Sequence, residues 1–354
     1  MITQESAAAS KPAGSVLLVV CAAIVIAAGL YFTRSIFAPA AFALFAIAIV
    51  WPMQKMLETR VSRFAALPVT LLLTIVVIAG LGGLIAWGLG QIGHWAFANT
   101  ARFQAIYLSS TQWLEEHGIF VVGIFVETFN VMWLVRVFQE IALRVNYLIG
   151  FSLLVFIFTT LGILEVPSFK ARLERMGKDG GGRNLSESIA RISAKFRRYM
   201  LIRTVASVLT GVTIWVFTLF VGLELATAWG VIAFALNYIP FLGPAVAMVL
   251  PALLAIIQFE SWQMVVFVFL GLGAIQFYIG SYLEPRLAGA TLSISPFLVL
   301  LSVFFWSFLW GIPGAFIGVP LTIAFLTICE QYPQTRWIAT LLSGPGDAPD
   351  APST

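Results

Sequence analysis

Two long apolar stretches, residues 226–258 and 292–328, constrain the possible folds of this chain more than any other feature. Each is over thirty residues long, whereas a helix needs only about 20 residues to cross the hydrocarbon of a bilayer. Both are interrupted by prolines and glycines, in "NYIPFLGP" and in "WGIPGAFIGVP". Proline removes a backbone donor and lipid cannot pair with the groups left free, so we expect broken helices that protein or water covers. Two geometries fit this pattern: re-entrant hairpins, or long tilted helices kinked at proline.

The composition of the chain indicates a membrane protein. Charged residues make up 10% of it, against about 25% in soluble domains, and 60% is hydrophobic. Several separate apolar runs reach the length of a membrane span, which one cleavable signal cannot explain. We therefore predict an all-α, polytopic integral membrane protein with about eight hydrophobic membrane segments, including the two broken stretches. The predicted full spans are 14–33, 36–53, 66–88, 146–165, 203–222 and 262–282.

The basic residues are unevenly distributed, and their distribution predicts topology. Ten of the twenty lie between Lys170 and Arg203, and loops that carry Lys and Arg stay on the cytoplasmic side. We expect both termini in the cytoplasm, the lipid bilayer as surroundings and no nucleic-acid partner. The segment "LSESIARISAKFRRYMLIR" predicts a basic amphipathic helix at the membrane surface that runs into the fifth span. The predicted regions are N-terminal spans (1–88), an extracytoplasmic amphipathic helical segment (89–145), a span with the basic helix (146–202), a transport core with inverted-repeat-like broken helices (203–330) and a flexible tail (331–354).

Reactive side chains are scarce in this sequence. Cys21 and Cys329 both fall inside apolar runs, where a thiol usually serves as a small hydrophobe. His94 and His117 have no acidic or cysteine partner at ligand spacing. The sequence also lacks a nucleotide-binding loop. We therefore expect no catalytic residues, no metal site and no cofactor, and we predict that the protein is not an enzyme.

The run "SYLEPRLAG" places three unusual residues, Glu284, Pro285 and Arg286, between two apolar stretches. A charge near the membrane is costly and is usually paired or exposed to water. Pro285 disfavours helix at Glu284 and predicts the end of the span, while Arg286 offers a partner. The run is either a plain helix terminus in water or a polar gate or ion-binding carboxylate that faces the second broken stretch. The candidate residues of a substrate path or gate are Asn237, Pro240, Gly243, Pro244, Gln276, Tyr282, Glu284, Pro285, Arg286, Gly311, Pro313, Gly314 and Pro320.

The stretch "YLEPRLAGATLSISPFLVLLSVFFWSFLWGIPGAFIGVPLT", together with "LNYIPFLGP", resembles the autoinducer-2 exporter family of bacterial permeases. The resemblance is dense over about residues 200–330, whereas over the first 165 residues only the pattern of spans agrees. It implies a multi-pass protein of the bacterial inner membrane that assembles as a homo-oligomer, expected to be a pentamer. The residues that the resemblance marks as characteristic are Asn237, Pro240, Gly243, Pro244, Glu284, Pro285, Arg286, Gly289, Pro296, Trp310, Gly311, Pro313, Gly314 and Pro320.

The resemblance also implies a function, since members of that family export the quorum-sensing furanone derived from dihydroxypentanedione, while others resemble sodium/proton antiporters. A small uncharged solute needs a few hydrogen-bonding groups in an apolar path, which Asn237, Gln276, Tyr278 and Tyr282 offer. Cation exchange would instead need a carboxylate with access to both sides. The acidic candidates for it are Glu224, Glu260 and Glu284. We predict an exporter of a small polar, autoinducer-2-like solute; the alternatives are an antiporter of sodium or another monovalent cation against protons, and a scaffold without transport.

Overall fold

The computed structural model describes residues 13–116, 131–176, 181–288 and 294–342. Over these residues the chain is helical and forms no β-strand, and seven helices are long and apolar enough to cross a membrane. The predicted all-α, polytopic membrane fold is confirmed. His117, Gly289 and the end of the predicted tail, 343–354, lie outside the described residues.

The described residues of the first half of the chain form six helices, and most of these run beyond the predicted spans. The polar and basic segments that flank the spans continue the same helices, so the basic segment and the fifth span form one unbroken helix, α6. The predicted segment 89–145 likewise supplies the end of α3 and the start of α5. The six helices are α1 Ala13–Phe32, α2 Arg34–Glu58, α3 Arg63–Ala98, α4 Thr100–Glu116, α5 Val131–Met176 and α6 Gly181–Val221.

In the second half, each broken stretch divides into a short helix and a longer one. The two longer helices are among the seven that could span a membrane, and the two shorter ones are not. The elements are α7 Ala226–Leu236, α8 Leu242–Phe259, α9 Trp262–Phe277, a π-helical turn Tyr278–Leu283, α10 Glu284–Ala288, α11 Pro296–Trp310, α12 Ile312–Gln331 and α13 Arg336–Leu342.

The first broken stretch is a helical hairpin, formed by α7 and α8. Its two ends meet at the end of α6, because the Gln258 carboxamide accepts a hydrogen bond from the Glu224 backbone N–H (2.7 Å) and donates one to the Gly222 carbonyl (2.8 Å). Its tip reaches back along α6, where Asn237 Nδ2 donates to Ser207 Oγ (3.3 Å). The chain therefore reverses at the break, and both ends of this first hairpin lie together.

The second broken stretch is also a hairpin, formed by α11 and α12. The chain turns at Gly311, whose φ of +69° suits glycine. The two helices then pack with their backbones in contact: a Cβ at Gly314 would lie 1.9 Å from the Trp306 carbonyl oxygen, and one at Gly318 would lie 3.0 Å from the Ser302 carbonyl oxygen. Glycine is required here because any side chain would push the helices of this second hairpin apart.

The two hairpins open toward opposite ends of α6. The last turn of α12 meets the first half of α6 through an ion pair of Lys195 and Glu330, at 3.3 Å. The first hairpin instead has its ends beside Glu224, about 40 Å further along at about 1.5 Å per residue of helix. We call these the basic end and the Glu224 end of the molecule.

The Glu224 end is closed by polar contacts above an apolar core. The Glu224 carboxylate accepts a hydrogen bond from Trp95 Nε1 and lies 3.8 Å from the Arg102 guanidinium. Beneath it is a cluster of buried apolar side chains from α6 to α9. The cluster comprises Ile214, Leu223, Trp229, Ala233, Ala247, Leu254, Ala255, Val265, Val268 and Leu272.

The second part of the basic segment packs against neighbouring helices, and its expected place at the membrane surface stays a prediction. Phe196 is buried. The Arg197 guanidinium donates to the Ala48 carbonyl of α2 (3.2 Å), and that of Arg198 donates to the Leu287 carbonyl of α10 (2.9 Å). These guanidinium groups therefore bridge helices.

Gly314→Ala should destabilise the protein, because its methyl group would meet the backbone of α11. We expect a loss of about 1–3 kcal/mol, the usual cost of overpacking, measured as a lower melting temperature in detergent. The control is Gly82→Ala in α3, where an added Cβ meets nothing within 4 Å. Alanine favours helix over glycine, so this variant should melt at the same temperature or higher. Equal melting temperatures for the two variants would contradict the close packing of the second hairpin.

Candidate functional site

A cavity of about 530 Å³ lies near the basic end, where α6, the tip of the first hairpin, the junction of α9 and α10, and the second hairpin meet. This volume is typical of sites for small molecules. Its walls are mostly prolines and branched aliphatic side chains, with a few polar groups among them. The polar residues are Tyr199, Arg203, Asn237, Gln276, Ser281 and Glu284.

The central charged feature of the cavity is an ion pair of Arg203 and Glu284. Arg203 Nη1 lies 3.1 Å from Oε1 and 3.2 Å from Oε2 of Glu284. The Arg203 Nε donates to the Tyr199 hydroxyl at 3.3 Å, so the guanidinium is held from two sides. Both charged side chains are largely buried, 9% and 22% exposed. The pair joins α6 to α10 and leaves this wall with no net charge.

A π-helical turn places Glu284 beside the cavity. In this turn, which ends α9, the Glu284 backbone N–H donates to the Ile279 carbonyl five residues earlier. Proline has no backbone N–H to donate, and the wider hydrogen-bond spacing of the π-helical turn accommodates this loss. The helix therefore continues beyond Pro285. Our expectation that Pro285 disfavours helix at Glu284 is therefore wrong, since α10 begins at Glu284 and the apolar helix extends to Leu287.

The tip of the first hairpin is a strained turn that faces the cavity. Phe241 has a φ of +62° and a ψ of −47°, and the Leu242 N–H donates to the Pro240 carbonyl at 2.7 Å, which makes a γ-turn. Such a conformation costs about 1–3 kcal/mol for a residue other than glycine. Gly243 follows, where a Cβ would lie 2.0 Å from the Leu236 carbonyl oxygen. The break thus satisfies its own backbone groups at the cost of local strain.

The structure brings about half of the predicted path residues to this cavity. Those that line it are Asn237, Pro240, Pro244, Gln276, Glu284 and Pro285, and the family-typical Pro296 joins them. Those that do not line it are Gly243, Tyr282, Arg286, Gly311, Pro313, Gly314 and Pro320.

The break of the second hairpin lies away from the cavity, because the hairpin points its tip toward α1. There the Trp310 indole N–H donates to the Leu30 carbonyl at 3.2 Å. The second hairpin contributes instead the start of α11 and the middle of α12, through Val299, Val319 and Ile323.

Arg286 is not the partner of Glu284, contrary to our expectation. Residues two apart on a helix point in different directions. Arg286 Cζ lies 4.2 Å from the ring centroid of Tyr282, which stacks on Tyr278 at 5.4 Å. These three residues form an exposed stack outside the cavity.

Sequence reasoning missed Tyr199 and Arg203. The arginine was assigned to the basic segment as a marker of topology, although a charge at the start of an apolar span needs a partner. That requirement, applied to the few acidic residues nearby, points to Glu284. Of the other two acidic candidates, Glu224 is engaged at the opposite end and Glu260 ends α8 on the surface.

The known proteins to which this chain is similar are described as transport proteins. The model of the AI-2E transporter family matches residues 20–334. The AI-2 transport protein TqsA of Escherichia coli K12 is 30% identical over 328 residues, which cover 90% of this chain and 93% of that protein. A putative transport protein of Borreliella burgdorferi is 32% identical over 203 residues, 56% of each chain. The putative transport protein YhhT of Escherichia coli K12 is 32% identical over 42% of each chain.

Replacing one member of the ion pair of Arg203 and Glu284 should lower the stability of the protein more than replacing both. Glu284→Gln or Arg203→Gln leaves a largely buried charge unpaired, which we expect to cost stability near the lower end of about 3–5 kcal/mol. In the double variant, two neutral amides replace the pair and part of the loss is regained. Melting temperatures of the four proteins in detergent measure this coupling.

The control for this cycle is the exposed pair of Lys170 and Glu174, at 3.9 Å on α5. Exposed pairs contribute little, so the same cycle there should stay within about 0.5 kcal/mol. Additive losses at Arg203 and Glu284 would contradict a coupled pair.

Proposed function

The chain belongs to the AI-2E family of transporters, and from this premise we propose that it moves a small, polar, uncharged solute across the bacterial membrane through the cavity at the basic end. Membrane transport follows from the family and from the seven apolar helices. The identity of the solute and the path are our proposal.

The observation that carries this proposal is the neutral charge of a polar cavity among apolar helices. Among the described residues that line it, Glu284 is the one acidic side chain, and Arg203 contacts both of its carboxylate oxygens. A cation would have to compete with the guanidinium for that carboxylate. An uncharged solute can instead use the carboxamides of Asn237 and Gln276 and the hydroxyl of Ser281, while its apolar parts contact aliphatic walls.

The solute that we favour is autoinducer-2 or a close analogue. One relative that aligns with nearly the whole chain carries AI-2 transport in its name. The cavity volume of about 530 Å³ lies in the range of sites for small molecules, and its polar groups can bind oxygen atoms.

The position of the cavity suggests a direction and a moving part. The cavity adjoins the basic end, which the positive-inside rule assigns to the cytoplasm, while a cluster of buried apolar side chains packs the Glu224 end. We propose that the solute enters from the cytoplasm and leaves after the first hairpin rearranges. The strained γ-turn at Phe241 sits where that hairpin meets the cavity and is a natural point of movement. Assembly as a homo-pentamer, with both termini cytoplasmic, stays a prediction.

Purified protein in liposomes should carry autoinducer-2 without any added sodium gradient. Val299→Trp should abolish most of this flux, because its ring would fill part of the cavity that Val299 lines. The matched control is Phe297→Trp on the same helix, where the side chain is 71% exposed and outside the cavity. The measurement is solute movement into sealed vesicles, with empty vesicles as background.

The same vesicles test cation exchange as the second candidate function. An imposed sodium gradient, read with an internal pH dye, would move protons only in an antiporter, and Glu284→Gln would abolish that signal. Proton movement of this kind, with no flux of autoinducer-2, would replace our proposal with antiport. Equal autoinducer-2 flux in Val299→Trp and wild-type protein would exclude the cavity as the path.

A further inference from the structure

Gln276 is the one residue of the cavity with a polar atom that is buried and unpaired. It lies on α9 just before the π-helical turn, and its Nε2 has no hydrogen-bond partner and no access to solvent. A buried N–H without an acceptor is costly, so native proteins seldom keep one unless something else requires it.

Three other buried polar atoms lack a partner within the described residues, and they make a useful comparison. They are Gln54 Oε1, Thr159 Oγ1 and Thr210 Oγ1. None of these residues lines the cavity. Gln54 is also anchored through its Nε2, which donates to Glu58 at 3.0 Å. Of the four residues, Gln276 is the one that lines a space large enough for a ligand.

An unpaired donor of this kind is well suited to bind an oxygen acceptor. No protein hydrogen bond holds the carboxamide nitrogen in its present orientation, so a turn of the side chain can direct it into the cavity. Because the nitrogen has no partner within the protein, a solute oxygen in the cavity would supply the hydrogen bond that it lacks. A cation gains nothing from it, because an amide nitrogen offers only donors.

Asn237 supplies the complementary group from the first hairpin. Its Nδ2 donates to Ser207 Oγ at 3.3 Å, which fixes the orientation of the carboxamide and leaves the oxygen as the free acceptor. Asn237 and Gln276 both line the cavity, one from the hairpin tip and one from α9. The cavity therefore holds a donor on one element and an acceptor on another.

We propose that Gln276 is a specificity-determining residue, whose carboxamide N–H binds a carbonyl or hydroxyl oxygen of the solute while the Asn237 oxygen accepts from a neighbouring hydroxyl. The solute class is thus an uncharged hydroxy-carbonyl compound. This inference rests on the proposed function, since it assigns the recognition step of the same cavity.

The test compares Gln276→Met with Thr159→Val, two near-isosteric changes that each remove a buried unpaired group. Thr159 lies on α5, which contributes no residue to the cavity. Both variants should melt at or above the temperature of the empty wild-type protein, because both remove an unpaired polar atom. In liposomes, Gln276→Met should raise the KM for autoinducer-2 about tenfold or more, the loss expected for one hydrogen bond, while Thr159→Val keeps the wild-type KM.

A binding measurement separates recognition from movement. Autoinducer-2 should raise the melting temperature of the wild-type protein and of Thr159→Val, but not that of Gln276→Met. Gln276→Glu, which replaces the donor by an acceptor of the same size, should lose the shift as well. A wild-type KM and a full shift in Gln276→Met would overturn this inference and leave the proposed function standing. No flux and no shift in wild-type protein would overturn the proposed function, and this inference with it.

Discussion

A helix that breaks inside apolar surroundings leaves peptide groups that lipid cannot satisfy, and this requirement governs how the second half of the chain is built. At the first break the Leu242 N–H donates to the Pro240 carbonyl, and at the second the Gly311 N–H donates to the Ser307 carbonyl, each at 2.7 Å. The first of these bonds closes the γ-turn that reverses the chain, whereas the second is an ordinary helical bond at the end of α11, and the reversal there comes from the positive φ of Gly311. Hairpins are therefore the result, and Gly314 makes possible the close backbone packing that one of them requires.

The two hairpins solve the same backbone problem but serve the cavity differently. The first places its tip in the cavity wall, where Asn237 and Pro240 are exposed to a ligand. The second directs its tip, with Gly311, toward α1 and lends the cavity only the sides of its helices. The similarity of the two proline-containing motifs therefore does not extend to equal roles. A proline and glycine cluster in an apolar stretch predicts a break, but which neighbours surround that break depends on packing between distant elements.

Features that act within a few residues could be predicted from the sequence, whereas contacts between distant elements could not. Hydrophobic run length predicted the helical membrane fold, and the proline and glycine clusters predicted both breaks, since these features act within a few residues. Glu284 was also singled out correctly as an unusual charge. Its partner was assigned to Arg286, two residues away, because the contact with Arg203 crosses 81 positions and leaves no local pattern. The π-helical turn that carries the helix past Pro285 was likewise hidden, since the proline alone indicates an end.

The pairing of Arg203 with Glu284 links these local and distant features into one functional arrangement. A lone carboxylate in this wall would attract cations. With the guanidinium in place, the charge is neutralised within the protein, and the turn brings α10 onto α6. What remains free to meet a solute are groups that carry no charge, chiefly the carboxamides of Asn237 and Gln276. The ion pair keeps α6 and α10 together at the basic end, and under the proposed function it would favour an uncharged solute because it leaves the cavity wall without net charge.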